Sequence, residues 1–390
     1  MVTNDFDPIY LDYMATTPVD ETVAEEMMRC LTVDGNFGNP SSATHLYGWR
    51  ALDAVTKARE LLADSIGAMP REVIFTSGAT EANNLAIQGA ARFYAKKGRH
   101  IITTTIEHKA VLDVFYALEK EGFDITLVSP NSDGIISVEA IADAITPQTT
   151  LVSTAWVNNE IGTIQPIAEI AALTRQHGIL FHVDAAQAMG KVAVDLSETP
   201  VDLMSFSAHK VYGPKGSGAL FVRDKPRARL IPLLYGGKQE QGLRSGTLAT
   251  HQIVGMAAAF HRAKLHAEDE LKHICSLNKI LLPGLLALEG VTLNGSLEQR
   301  VPHNINVCFQ GLNAEALLMS LPQIAVSAGS ACNSAQEEPS HVLKAIGLSD
   351  LQAGASLRFS LGRYTTEKEI KRVLELIRLE VQRERDLAGK

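Results

Sequence analysis

From Val73 to Phe221 the chain alternates short apolar runs with stretches whose apolar residues recur at helical spacing. Few folds accommodate that order. Strands joined by helical crossovers turn right-handed and build a largely parallel sheet with helices on its faces. The strand-like runs cover 73–75, 100–105, 124–128, 150–155, 179–183 and 201–204. In such a sheet the strand exits share one edge, and ligands bind there. Ala79, Thr80, His108, Asn159, Asp184, Gln187 and Lys210 all stand at exits. Each has an ordinary explanation taken singly. Together they point to one shared pocket.

The exit after 201–204 is the richest, with Ser205, Ser207, His209 and Lys210 followed by a glycine-rich tail. A loop lysine can be a phosphate ligand, a surface charge or a Schiff-base nucleophile. Ser207 and His209 can bind an anion beside the amine, so we read Lys210 as the attachment point of pyridoxal phosphate (PLP). Residues 76–81 form a strand end, a small-residue turn and a helix start. Small residues let the backbone approach a phosphate, and the helix start offers free N–H groups. Many such turns bind nothing, and no GxGxxG is present, so this is not the dinucleotide fingerprint. His108 is either a satisfied surface residue or a ring that stacks on a flat cofactor and shuttles protons. Asp184 is either a helix N-cap or an acid aimed at a pyridinium nitrogen.

Composition narrows the class. The 390 residues are 46% hydrophobic and 21% charged, enough for two or three domains with a large core. The net charge of -8 argues against nucleic acid as the main partner. No run of about 18 apolar residues occurs, so no membrane span is expected. The first ten residues carry Asp5 and Asp7 and no basic stretch, so no signal peptide is expected. Cys30, Cys275, Cys308 and Cys332 are far apart and fit no zinc or CxxC spacing. Reduced thiols in a cytoplasmic setting are the expectation.

The remaining chain reads as helices over 20–30 and 44–66, a turn-rich loop over 35–42, and polar glycine-rich segments at 235–237 and 243–247. A long helix over 250–271 leads toward a second domain, with elements at 301–309, 314–321, 342–346 and 357–361. Thr366 and Glu369 form a capping box that opens a last helix, with Ile370, Val373, Leu374, Ile377 and Val381 on one face. Two features there carry chemistry. Residues 327–335 are a small-residue loop around Cys332, which favours an exposed, mobile thiol over a buried one. Alternation places Arg358 on a polar face, as an exposed arginine or as the fork for a substrate carboxylate. The expected division is a large cofactor-binding domain over 16–262. A small domain over 1–15 and 263–390 would carry the cysteine loop at about 327–338.

At Leu11-Asp12-Tyr13, residues 76–81, Glu107-His108-Lys109, 157–160, His182-Val183-Asp184, 207–210, 244–247, Ser330-Ala331-Cys332 and 357–362, the chain closely resembles the group I cysteine desulfurases of the IscS/NifS type. These are fold-type-I PLP enzymes of the class V aminotransferase family, and the match runs through nearly the whole chain. The resemblance implies an α/β fold with a mostly parallel seven-stranded sheet flanked by helices, plus a smaller α+β C-terminal domain. It implies that Ala79, Thr80, Ser207 and His209 hold the PLP phosphate. Thr247 would reach that phosphate from the other subunit of a homodimer. Asp184 would pair with the ring nitrogen and Gln187 with the phenolic oxygen. Asn159 would orient the ring, and His108 would stack on it and take the substrate thiol proton. Arg358 and Asn159 would meet the carboxylate of L-cysteine, and Lys210 would remove its Cα proton. Cys332 would accept the sulfur as a persulfide for an iron-sulfur scaffold protein and other acceptors, including those of tRNA thiolation. It would also be a transient iron-sulfur ligand shared with that scaffold. A selenocysteine lyase or another class V PLP enzyme is the alternative, and a non-enzymatic docking protein is a second. The loop 237–241 carries less histidine and arginine than the family usually has. Housekeeping members continue past the last helix with a scaffold-docking tail, where this chain stops at Lys390. Arg223, Lys225, Arg227 and Arg229 form a basic cluster, either a dock for acidic partners or a solvated loop.

Overall fold

The computed structural model describes residues 8–328 and 339–388. The chain opens on a short strand, β1 (Ile9–Tyr10), and two helices, α1 (Glu21–Met28) and α2 (Leu46–Ser65). Strands and helices then alternate: β2 (Val73–Thr76), α3 (Ala79–Tyr94), β3 (His100–Thr104), α4 (Lys109–Lys120), β4 (Asp124–Val128), α5 (Val138–Ala144), β5 (Thr149–Ala155), α6 (Ile167–His177) and β6 (Leu180–Asp184). β7 (Leu203–Ser207) and β8 (Gly218–Val222) follow, with a 3-10 turn over Ala208–Lys210 between them. Helices α7 (Thr250–Leu265) and α8 (Ala267–Leu286) lead to β9 (Val291–Leu293), β10 (Asn304–Phe309), α9 (Ala314–Met319), β11 (Ile324–Ala325) and β12 (Ser327–Ala328). The last elements are α10 (His341–Ala345), α11 (Asp350–Gly354), β13 (Ser356–Ser360) and α12 (Glu367–Ala388).

Seven strands form one sheet in the order β2-β8-β7-β6-β5-β3-β4. β3 through β7 pair in parallel, and only β8 runs against its neighbours. This is the seven-stranded, mostly parallel sheet expected. Its strands are covered on both faces, so they read as nearly continuous apolar runs. Val152, Phe181, Val183 and Phe206 are buried in its core. A second, antiparallel sheet has the order β12-β13-β10-β9. Helix α8 covers it with Ile274, Leu277, Leu281 and Leu285, and α12 with Ile370, Val373, Ile377 and Val381. These follow helical spacing, and full burial of each such side chain is worth ~1.5–3 kcal/mol. Leu11 from the N-terminal segment joins this cluster, and β1 pairs in parallel with β11. The capping box is present: Glu369 N donates to Thr366 Oγ1 at 3.3 Å, and Thr366 N to Glu369 Oε2 at 2.7 Å.

Three expectations are corrected. The helix over 250–271 is broken at His266, whose φ of -105° and ψ of 9° leave the helical basin. Glu268, Asp269 and Glu270 then fill the first turn of a new helix, where acidic side chains are favoured. Apolar spacing runs through the break and hides it. Arg223 is withdrawn from the basic cluster. Its guanidinium donates to the carbonyls of Val201, Leu196 and Thr199 at 2.6–3.0 Å, leaving Lys225, Arg227 and Arg229 exposed. Arg358 is not on an exposed polar face; it is one of the largest fully buried side chains. Its partners make that burial possible and belong to the site.

Candidate active site

The exits of β2, β3, β5, β6 and β7 surround one cavity of about 630 Å³. Ala79, Thr80, His108, Asn159, Asp184, Gln187, Ser207, His209, Lys210 and Arg358 all line it. Thr247 does not. It borders a neighbouring cavity of about 150 Å³ with Ser77, Gly216 and Arg244. Arg244 is tied to α3 by an ion pair to Glu81 at 2.9 Å. Cys332 lies outside the described residues. The chain on its two sides meets the cavity wall. Ser327 Oγ donates to Asp12 Oδ1 at 2.9 Å, Ser340 Oγ bonds Glu160 Oε2, and His341 Nε2 bonds the carbonyl of Glu107 at 2.9 Å.

At one end of the cavity, α3 begins after Gly78 with no side-chain cap. Its first N–H groups and its positive dipole end therefore suit an anion. A side chain at Gly218 would place Cβ 2.5 Å from the Cα of Gly78, so the close approach of β8 to this turn requires glycine. His209 stands nearby with Nδ1 3.0 Å from Thr16 Oγ1. Burial, then the charges of Lys210, Lys215 and Lys191, push its imidazole down to about 4, so the ring is neutral at neutral pH.

Along the floor, Asp184 ends β6 and no helix begins there, so it is not an N-cap. Its Oδ2 accepts from Asn83 Nδ2 at 2.7 Å and its Oδ1 from Ala186 N at 2.9 Å. Gln187 Nε2 donates to the Met14 carbonyl at 2.8 Å, while its buried Oε1 has no partner among the described residues. Lys210 Nζ donates to the carbonyls of Met14 and Ala15, both at 2.7 Å. The same N-terminal segment holds the lysine's turn, since Thr17 N donates to the His209 carbonyl at 2.9 Å.

His108 caps α4. Its Nδ1 accepts from Ala110 N at 3.0 Å, so the neutral ring carries its proton on Nε2. Its neighbour Glu107 is fully enclosed. Thr104 Oγ1 and Ala155 N donate to Oε1 at 2.6 and 3.0 Å, while Oε2 has no partner among the described residues. Burial above all, with the charge of Asp184 adding, pushes this carboxyl up to about 8.

On the far wall, Arg358 comes from β13. Its Nη1 donates to the Asn159 carbonyl at 2.8 Å, and its Nη2 to Asp12 Oδ1 at 2.8 Å and Ser327 Oγ at 3.0 Å. Three of its five N–H donors are thus committed. Asp12, Asn83, Glu107 and the carbonyls of Met14 and Ala15 were not singled out from sequence. Asn83 lies one helical turn after Ala79, so the face of α3 that reaches the pocket could have identified it.

The arrangement can hold an anionic group at α3, a protonated ring nitrogen at Asp184, an amine-linked cofactor at Lys210 and a carboxylate at Arg358. Residues 9–373 match the model of the aminotransferase class-V family. The chain is 56% identical to the cysteine desulfurase IscS of Vibrio vulnificus strain CMCP6 over 98% of this chain and 94% of that protein. Among solved structures, a NifS-like protein superposes with a TM-score of 0.90 at 37% identity, covering 96% of this chain and 99% of its own. SspA in complex with cysteine superposes at 0.80 and 40% identity, covering 92% and 100%.

Proposed function

The chain belongs to the class-V aminotransferase family and is a PLP-dependent cysteine desulfurase, and we propose that the cavity residues divide its work as follows. The observation that carries this reading is the convergence of Lys210, Asp184 and the uncapped start of α3 on one cavity that Arg358 also lines. The residues fit PLP: the uncapped start of α3 offers N–H groups where a phosphate needs donors, and Asp184 presents a carboxylate to the same cavity where a ring nitrogen needs an acceptor. PLP, when bound, supplies an electron sink conjugated to the substrate Cα, which makes the Cβ–S bond labile.

Ala79 and Thr80 offer backbone N–H groups to the phosphate, with Ser207 and the neutral His209 beside them. Asp184, held by Asn83 and Ala186, keeps a proton on the ring nitrogen. Gln187 meets the phenolic oxygen, which calls for an N–H, so its amide must turn and release the Met14 carbonyl. Asn159 orients the ring. Lys210 takes the Cα proton. His108 bears its proton on Nε2 and so begins as a donor. Taking the substrate thiol proton requires it to give up its cap on Ala110. Arg358 and Asn159 receive the carboxylate of L-cysteine.

The thiolate of Cys332 attacks the substrate sulfur. An S–S bond forms, the Cβ–S electron pair stays with Cβ, and a proton there completes L-alanine. The balance is L-cysteine plus the Cys332 thiol giving L-alanine plus the Cys332 persulfide, with no outside oxidant. The test is mass spectrometry of Cys332 after incubation with L-cysteine. One added sulfur atom is expected, and alanine release with Cys332 unchanged would contradict the assignment.

The persulfide then serves an iron-sulfur scaffold protein and other acceptors in the cytoplasm, tRNA thiolation among them. Cys332 also acts as a transient ligand to the scaffold's cluster; no metal-binding group of side chains occurs among the described residues. No helix among the described residues is long and apolar enough to cross a membrane. We read the enzyme as a homodimer in which Thr247 of the partner subunit completes the phosphate site. Met28, Leu31, Val33, Phe37, Leu46, Tyr47, Trp49 and Leu52 are all exposed, which supports a covered apolar face. A hybrid of a Lys210→Ala subunit and a Thr247 variant inactive by itself should recover about half of wild-type activity, because one of two reciprocal sites is intact. A hybrid as inactive as its parents contradicts sharing.

A further inference from the structure

Behind Lys210, away from the substrate cavity, lies a small cavity of about 20 Å³ that Lys210 shares with a second lysine, Lys191. Lys191 follows the turn after β6, and its Nζ donates to the main-chain carbonyl of Lys210 at 3.3 Å. We propose that Lys191 is a positioning residue for Lys210: it fixes the backbone of the reactive lysine, and its charge weakens proton binding by the neighbouring amine. The inference rests on the reading of Lys210 as the cofactor lysine.

The surroundings offset that charge only in part, through the more distant Glu270. The groups facing Lys191 are Tyr13 of the N-terminal segment, Lys210 and Tyr212 after β7, Glu270 of α8, His303 before β10 and Arg363 after β13. Glu270 is the one carboxylate among them, and it is paired with Arg363 at 2.6 Å. Arg363 in turn lies 4.1 Å over the Tyr212 ring and pairs with Asp20 at 2.6 Å. Burial keeps His303 neutral, pushing it down to about 3. Among the described residues no carboxylate bonds the Lys191 ammonium. Burial, with the charge of Lys210 adding to it and Glu270 opposing it, pushes Lys191 itself down to about 7. Two amines in such a setting resist being protonated together, so a charged Lys191 makes a proton on Lys210 less favourable. Tyr212 holds a left-handed backbone, with φ of 62°, beside the reactive lysine. Its hydroxyl accepts from Arg363 N at 2.6 Å, so the fold keeps this rear support in one geometry.

The test is the pH titration of the cofactor absorbance band in the loaded enzyme, comparing wild type with Lys191→Gln and Lys191→Arg. Gln keeps a donor for the Lys210 carbonyl and removes the charge; Arg keeps both. The midpoint reports the proton on the lysine–cofactor linkage. It should rise by about one pH unit, a tenfold change in proton affinity, in Lys191→Gln. In Lys191→Arg it should stay at or below the wild-type value. A Gln midpoint equal to wild type, or an Arg midpoint above it, overturns the inference. If Lys191→Gln does not fold, the Arg comparison decides alone. A wild-type enzyme with no such band, or with the cofactor on another lysine, overturns the functional reading instead.

Discussion

The floor of the cavity and its far wall are assembled differently. Ser207, His209 and Lys210 lie within four residues of one another, and β6 delivers Asp184 from the adjacent strand. Their positions follow from local chain geometry and sheet order. The wall joins Arg358 to Asp12, 346 residues away in sequence, and to Ser327 and Asn159. The floor groups are held by their neighbours yet keep faces toward the cavity. The wall groups are satisfied mainly by one another. On the proposed reading the floor is thus prepared for a resident cofactor, whereas a substrate carboxylate would have to share Arg358 with Asp12.

The largest effect should come from breaking the floor. Lys210→Ala should lower turnover at least ~10²-fold, since loss of a positioned proton-transfer group costs that much. Alanine release at the wild-type rate would separate Lys210 from the chemistry. Breaking the wall should do less to the cofactor and more to the substrate. Arg358→Ala should raise KM for cysteine, the loss of a charged hydrogen bond being ~1.5–3 kcal/mol. The band of bound PLP should change little. An unchanged KM would reduce Arg358 to a packing residue.

Asp12→Asn sharpens the comparison. It leaves Arg358 a neutral partner, so the substrate carboxylate meets less competition. KM should fall at least about twofold, since the arginine is buried and its charge partner counts for more than one at the surface. A KM that rises would mean that Asp12 aims Arg358 rather than competing for it.

The last test reads stability instead of turnover and concerns Glu107, the buried carboxyl under the floor. Its folded-state value is raised to about 8, from ~4.3 in an unfolded chain. Its protonated form therefore adds stability that is fully present below ~4.3 and is lost as pH climbs through 8. Glu107→Gln stays neutral throughout. The melting temperature of wild type should fall relative to this variant between about pH 5 and about pH 9. Parallel curves would mean that Glu107 is ionised throughout.

The same contrast explains what the sequence made legible. Strand–helix alternation dictates the sheet, and the sheet brings its exits to one edge, so the floor could be read from Ala79 to Lys210. The burial of Arg358 could not. Period-two alternation gives it a face, but not that the N-terminal segment and the loop after β5 cover that face of β13. Asp12 stood inside a recognisable run, yet nothing local says that its carboxylate crosses the molecule. The break at His266 was hidden because the apolar stripe continues across it. The withdrawal of Arg223 needed three carbonyls between 196 and 201 that spacing does not place.

The N-terminal segment has a consequence in time. Asp12 is synthesised 346 residues before its partner Arg358. Met14 and Ala15, which hold the Lys210 amine, wait for a residue 195 or more positions later. On a growing chain the Lys210 turn can meet its supports well before the wall exists. The wall closes only once β13 has emerged, because contacts this distant in sequence carry the largest loop-closure cost and form late. On the proposed reading, a nascent enzyme would then acquire its cofactor floor before its grip on substrate, and sulfur chemistry would wait for β13.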